Sequence, residues 1–122
     1  MTDHQNLAQQ YVALWNETNP DTRQQAAQRL FTPDASYLDP QMQGSSPDGI
    51  AAMIGAAQTQ LPGLRFRLSD QPVDAHHDYL RFSWLLGPDE QTDVAGGTDI
   101  VHLSNGKMRQ VIGFIDFAPA GQ

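Results

Sequence analysis

The sequence has no cysteine, which excludes disulfide bonds and thiolate catalysis. Positive charge is scarce: seven Lys and Arg stand against 14 Asp and Glu, for a net charge of -7. Arg65 and Arg67 alternate on one stretch, but the basic residues otherwise scatter and form no stripe that would neutralise phosphates. Nucleic acid and anionic membrane surfaces are therefore poor partners. No apolar run approaches the roughly 18 residues of a membrane-spanning helix. The stretch Met1 to Asn6 is polar and lacks the pattern of a secretion signal, so a cytoplasmic protein is expected. The sequon Asn16-Glu17-Thr18 is accordingly read as chance.

What is present is a globular composition. Apolar residues make up 39% of the chain and charged ones 17%, with Gln, Asn, Ser and Thr filling the difference. A length of 122 residues suits one domain with a real core, and the whole chain, 1–122, is read as that domain.

The order of elements follows from periodicity. Asp3 caps a first helix whose apolar positions Leu7, Tyr11, Leu14 and Trp15 share one face. Asn19-Pro20 reads as the cap and first residue of a second helix, which buries Ala26, Ala27, Leu30 and Phe31 and stops at Thr32-Pro33-Asp34. A short strand over 35–38 runs into Asp39-Pro40, and a polar loop passes through Gly44. Ser46-Pro47 opens a third helix that presents Ile50, Met53, Ile54 and Ala57.

After Pro62-Gly63 the chain reads as strand: 64–69, 72–76, 79–86, about 93–103 and 108–117. Asn105-Gly106 between two apolar runs is a hairpin signal, and Gly96-Gly97 inside a strand marks a bulge or bend. Helices first and antiparallel strands after them predict an α+β fold, with three helices on one face of a strongly curved, mostly antiparallel sheet that encloses a pocket.

Asp39 stands out, as an acid at a strand exit before a proline. It is either a turn residue or a base with a raised pKa at the mouth of an apolar layer. Tyr11 is either a packed core residue or a hydroxyl donor. Asp99, mid-strand beside Ile100 and Val101, needs a partner or a role. Trp15, Met53, Phe66, Phe82 and Trp84 read first as core, although some of them must line any small-molecule cavity. His76 and His77 are adjacent on a strand, so they are expected to face opposite ways and not to share a metal. His102 is out of phase with Asp99 and is expected on the outer sheet face.

The element order resembles the cone-shaped nuclear-transport-factor-2-like superfamily, and within it the SnoaL-like polyketide cyclases and ketosteroid isomerases. Three segments carry the resemblance: Gln10-Tyr11-Val12-Ala13-Leu14, the run from Leu30 to Pro40 ending Tyr37-Leu38-Asp39-Pro40, and Gly97-Thr98-Asp99-Ile100-Val101-His102. Gly113-Phe114-Ile115-Asp116 is similar to the end of SnoaL-like domains. The segment over 16–23 is longer than in the isomerases.

The resemblance implies proton abstraction beside a carbonyl of a hydrophobic substrate, without cofactor or metal. Asp39 would be the base, Tyr11 and a protonated Asp99 the donors to the developing oxyanion. Trp15, Met53, Phe66, Phe82 and Trp84 would contact the substrate. A homodimer through the outer sheet face is expected. The alternative on the same fold is a non-catalytic ligand-binding or dimerisation module.

Overall fold

In the computed structural model, residues 3–118 are described. Helix α1 (His4–Asn16) begins where the Asp3 carboxylate accepts the Asn6 N–H at 3.0 Å. Helix α2 (Pro20–Leu30) begins where Asn19 Oδ1 accepts from Asp21 and Thr22, both at 3.0 Å. Helix α3 (Ser46–Thr59) begins at a kinked Ser46 with φ 66°, whose hydroxyl accepts the Gly49 N–H at 3.2 Å. In each case a side-chain oxygen satisfies amide groups that the helix itself cannot.

The strands are β1 (Phe31–Leu38), β2 (Gln43–Ser45), β3 (Arg65–Leu68), β4 (Asp74–His76), β5 (Tyr79–Gly87), β6 (Ala95–Ser104) and β7 (Lys107–Phe117). They form one open, mixed sheet in the order β2-β1-β7-β6-β5-β3, with β4 also on β5. All pairs are antiparallel except β1 with β7. Asn105 and Gly106, at φ 53° and 80°, make the tight β6–β7 turn.

Two expectations about the first half are corrected. The first strand starts at Phe31, directly after α2, and not at residue 35. Pro33 is tolerated there because β1–β7 pairing is interrupted between Phe31 and Ser36. The polar loop through Gly44 contains β2, which pairs Tyr37 with Gly44 and closes a hairpin around Asp39-Pro40.

The three helices cover one face of the sheet, and α1 packs over β3 while α3 packs over β1. The buried layer includes Leu14, Leu30, Phe31, Ile50, Ile54, Leu80, Phe82, Val101, Met108 and Val111. Truncating a buried aromatic such as Phe82 to alanine typically costs about 3–5 kcal/mol. Strand β7 carries one extra residue, Asp116, opposite Gly96-Gly97, and another, Arg109, opposite His102-Leu103. Bulges of this kind bend and twist a sheet. Gly97 is required at the bend, since a Cβ there would strike the Trp84 ring and the Phe114 carbonyl.

A polar lace ties the helices together. Asn16 donates to the Phe66 carbonyl and accepts the Phe66 N–H, both at 2.8 Å, which fixes α1 to β3. The Asn16 amide of the sequon is thus committed to β3. Gln58 Nε2 donates to the carbonyls of Trp15 (3.0 Å) and Glu17 (2.8 Å) at the end of α1. Buried Arg23 donates to the Glu17 and Thr18 carbonyls and to Gln58 Oε1. These bonds satisfy the carbonyls left open at the α1 C-terminus and place a cation at its negative end.

Candidate active site

A cavity of about 280 Å³ opens between α1, the end of α3 and the inner face of the sheet. Its walls are largely apolar, with Val12, Ala57, Leu64 and Leu86 among them. That volume lies at the low end of the ~300–1,000 Å³ usual for ligand pockets, which suits a molecule of one or two rings.

Tyr11, Asp39 and Asp99 all line this cavity, as do Trp15, Phe66 and Trp84. Met53 and Phe82, expected beside them, are not among the lining residues. Phe82 is sealed in the core against the Tyr11 ring, with centroids 5.3 Å apart. Met53 is half-buried against β2, its sulfur beside Gly44.

Asp39 leaves the end of β1 into the hairpin turn. Its Oδ1 accepts the backbone N–H groups of Gln41 (2.8 Å) and Met42 (2.9 Å). Its Oδ2 accepts the Tyr37 hydroxyl at 2.6 Å. The reading of Asp39 as a turn residue and its place in the cavity are thus both realised in one side chain. Tyr37 was not singled out from sequence, although it lies two residues before Asp39 on a strand and so shares its face.

Asp99 is 3% exposed and pairs in register with Phe82 on β5. Trp84, diagonal to it, donates its indole N–H to Asp99 Oδ1 at 3.2 Å. Burial pushes the Asp99 carboxyl up to about 6. The Trp84 indole N–H and the neighbouring Tyr11 hydroxyl oppose the rise, and the charges of Asp39 and Asp116 add to it. Asp99 therefore holds its proton to a higher pH than an ordinary carboxyl does.

Burial raises both phenols. Tyr11 is held well above its ordinary value, first by desolvation and then by the Asp99 charge. Tyr37 is raised by burial, by the Asp99 charge and by its bond to Asp39. Both hydroxyls remain protonated and able to donate. Gly113 forms the floor where these groups meet. A Cβ built on it would lie 2.9 Å from Asp99 Oδ1, 3.2 Å from Asp39 Cβ and 3.5 Å from the Tyr37 hydroxyl.

Outside the cavity, His76 and His77 depart from expectation. Their Nδ1 atoms are 3.0 Å apart, because His77 takes φ 52° and breaks the strand alternation. Among the described residues no three His, Cys, Asp or Glu side chains form a metal-ligand group. His102 projects from the outer face and stacks on Tyr79, with centroids 4.9 Å apart. Asp116, in the terminal Phe-Ile-Asp, accepts from Thr98 Oγ1 at 2.8 Å and does not line the cavity. No helix among the described residues is long and apolar enough to cross a membrane.

Three helices on a curved, open sheet with a cavity against its inner face define the nuclear-transport-factor-2-like class. The SnoaL-like domain pattern matches residues 8–111, and the chain belongs to this family. It is similar to a candidate isomerase of the SnoaL-like family from Agrobacterium tumefaciens str. C58, with 44% identity, TM-score 0.89, and 96% of this chain and 100% of that chain covered. More distant likenesses show the fold alone. One is a candidate ketosteroid isomerase from Kribbella flavida DSM 17836, at 16% identity and TM-score 0.66, covering 96% of this chain and 80% of that one. Another is a candidate polyketide cyclase from Sinorhizobium meliloti, at 14% and 0.65, covering 88% and 93%. Among curated proteins, none matches.

Proposed function

We propose that the protein removes a proton from the carbon beside a carbonyl in a compact, largely apolar substrate, leading to isomerisation or aldol cyclisation. The observation that carries this reading is the meeting of Tyr11, Asp39 and Asp99 on one apolar cavity of about 280 Å³. A carboxylate takes the proton and can return it elsewhere on the same molecule, so the chemistry needs no cofactor. The Tyr11 hydroxyl donates to the substrate oxygen as negative charge develops there.

The two acids divide the work differently from what the family resemblance implies. Asp39 accepts from three donors, which occupy most of the lone pairs a base would use. Asp99 accepts one hydrogen bond, from Trp84, and its pKa of about 6 suits proton transfer near neutrality. We therefore assign the base to Asp99 and give Asp39 the task of holding Tyr37 and the hairpin. Conversion of a β,γ-unsaturated cyclohexenone to its conjugated isomer, followed by ultraviolet absorbance, tests the assignment. Asp99→Asn should lower kcat by roughly 100-fold or more, and Asp39→Asn by much less. Wild-type rates in Asp99→Asn would sink it, and the reverse order would return the base to Asp39.

The triply bonded Asp39 also favours a second reading, a non-catalytic binding module on the same fold. In that case neither substitution changes any rate, and ligand binding persists in both.

The same proposal seats a second copy of the chain on the outer sheet face. Leu38, Tyr79, Phe114 and Phe117 are exposed, and strand alternation puts them on that side. Sedimentation should find a dimer that Phe114→Asp dissociates. A monomeric wild type would remove this part.

A further inference from the structure

We infer that Trp15 supplies a second hydrogen-bond donor to the bound molecule, its indole N–H meeting the same ligand oxygen as the Tyr11 hydroxyl. This rests on the carbonyl-binding cavity proposed above, but not on which acid moves the proton. Among the described residues, two buried side-chain polar atoms lack a hydrogen-bond partner: the Tyr11 hydroxyl and Trp15 Nε1. Buried donors without partners are rare and costly, so each one requires an explanation. Here both belong to one cavity wall, with Tyr11 2% and Trp15 7% exposed.

Their spacing on α1 is i, i+4, which stacks the two side chains on one face of the helix. The rings stand 6.4 Å apart at 58°, and Trp15 and Asp99 both lie close enough to the Tyr11 hydroxyl to influence its ionisation, neither of them in hydrogen-bond geometry with it. The neighbouring donors are already used, Tyr37 on Asp39 and Trp84 on Asp99. Behind the indole, Gln58 bonds the Trp15 carbonyl at 3.0 Å and fixes that turn of helix. The pair sets two donors side by side on one cavity wall.

The pair selects a chemistry. It offers two N–H or O–H donors side by side, which fits an oxygen with two lone pairs. The carboxylates of Asp39 and Asp99 on the same cavity oppose a ligand that arrives as an anion. The class that fits both features is a neutral ketone or aldehyde of one or two rings, whose oxygen gains charge only during reaction.

Binding of β-tetralone and of its hydrocarbon counterpart tetralin tests this by titration and by the indole N–H resonances in nitrogen-15 spectra. The chain has two tryptophans, so Trp84, already bonded to Asp99, is the internal control. The wild type should bind the ketone about tenfold more tightly than the hydrocarbon. The Trp15 resonance should move with the ketone only. Trp15→Phe should erase most of that preference by weakening ketone binding more than tetralin binding, and Asp99→Asn should keep the preference while losing turnover. A wild type that does not prefer the ketone, a Trp15 resonance that responds equally to both probes, or a Trp15→Phe protein that weakens both equally overturns the inference. The resonance readout needs no variant to fold. Retained discrimination without turnover in the wild type would sink the catalytic proposal and leave this one standing.

Discussion

The Tyr37 hydroxyl lies 2.6 Å from Asp39 Oδ2, across two residues of one strand end. That bond joins a buried phenol to a carboxylate held by two backbone amides in the turn of the β1–β2 hairpin. Asp39→Ala leaves all three donors without an acceptor and should cost about 2–3 kcal/mol in urea unfolding. Tyr37→Phe removes one donor and should cost about 1 kcal/mol. Asp39→Asn retains an oxygen for Tyr37 and should fall between these values and the wild type. Equal stability in all of them would mean the turn is held by its backbone alone.

Stability should fall as pH rises through the range in which Asp99 ionises. The folded protein binds that proton more tightly than the unfolded chain, with a pKa of about 6 against the ordinary 3.8. The stability it contributes is complete below the lower value and is lost as pH passes the higher one. Two pH units correspond to about 3 kcal/mol. Asp34 and Asp48, both lowered by hydrogen bonds, act in the opposite direction, so the readout is the difference from Asp99→Asn. Urea midpoints from pH 3 to pH 8 should converge on the variant's at low pH, separate between about 4 and 6 and run parallel above that. Curves parallel throughout would show that Asp99 has an ordinary pKa.

The same ionisation should shape activity with the opposite sign, because a base works only when deprotonated. With Asp99 as base, kcat/KM should rise with pH, reach half its plateau near 6 and level off above it. A profile with no inflection near 6 would rule out Asp99 as the base.

Arg23 is buried, and its recorded bonds are to neutral oxygens at the end of α1 and on Gln58. Gln58→Ala should cost about 2 kcal/mol, since it frees the Trp15 carbonyl, leaves the Glu17 carbonyl to Arg23 alone and takes one acceptor from the guanidinium. It should also weaken ketone binding several-fold by loosening the Trp15 turn. Thermal unfolding and titration together separate the two effects, and a destabilised variant with unchanged affinity would show that Trp15 is held by packing alone.

Gly113→Ala should fold but work poorly. Its new methyl would meet Asp99 Oδ1 at 2.9 Å, which a side chain can relieve by turning. The carboxylate then leaves its position, and turnover should drop at least tenfold while unfolding changes by about 1 kcal/mol. Unimpaired turnover would show that Asp99 tolerates displacement.

Local chemistry was legible in the sequence wherever it acts alone. Asp3 and Asn19 cap their helices as read, Asn105-Gly106 turns the last hairpin, and Gly96-Gly97 faces a bulge. Features that depend on a partner strand were not. Strand β2 has three residues and exists only because β1 is beside it, and Pro33 sits in a strand because pairing is interrupted there. Phe82 and Trp84 have the same periodicity, yet one is core and the other lines the cavity. The difference is made by Gly97, which leaves room for the Trp84 ring. The pairing of His76 with His77 turns on one backbone angle that no alternation rule anticipates.

The parallel pairing of β1 with β7 has a consequence for synthesis on the ribosome. It sets Ser36, Tyr37 and Leu38 beside Gln110, Val111 and Ile112, across most of the chain. The helices and the first hairpin can form early, but Asp39 meets Gly113 and Asp99 only after the last strand emerges. Contacts so distant in sequence form late and slowly. A nascent chain therefore exposes its unfinished inner wall until the final strand inserts between β1 and β6, and the cavity is completed in that single step.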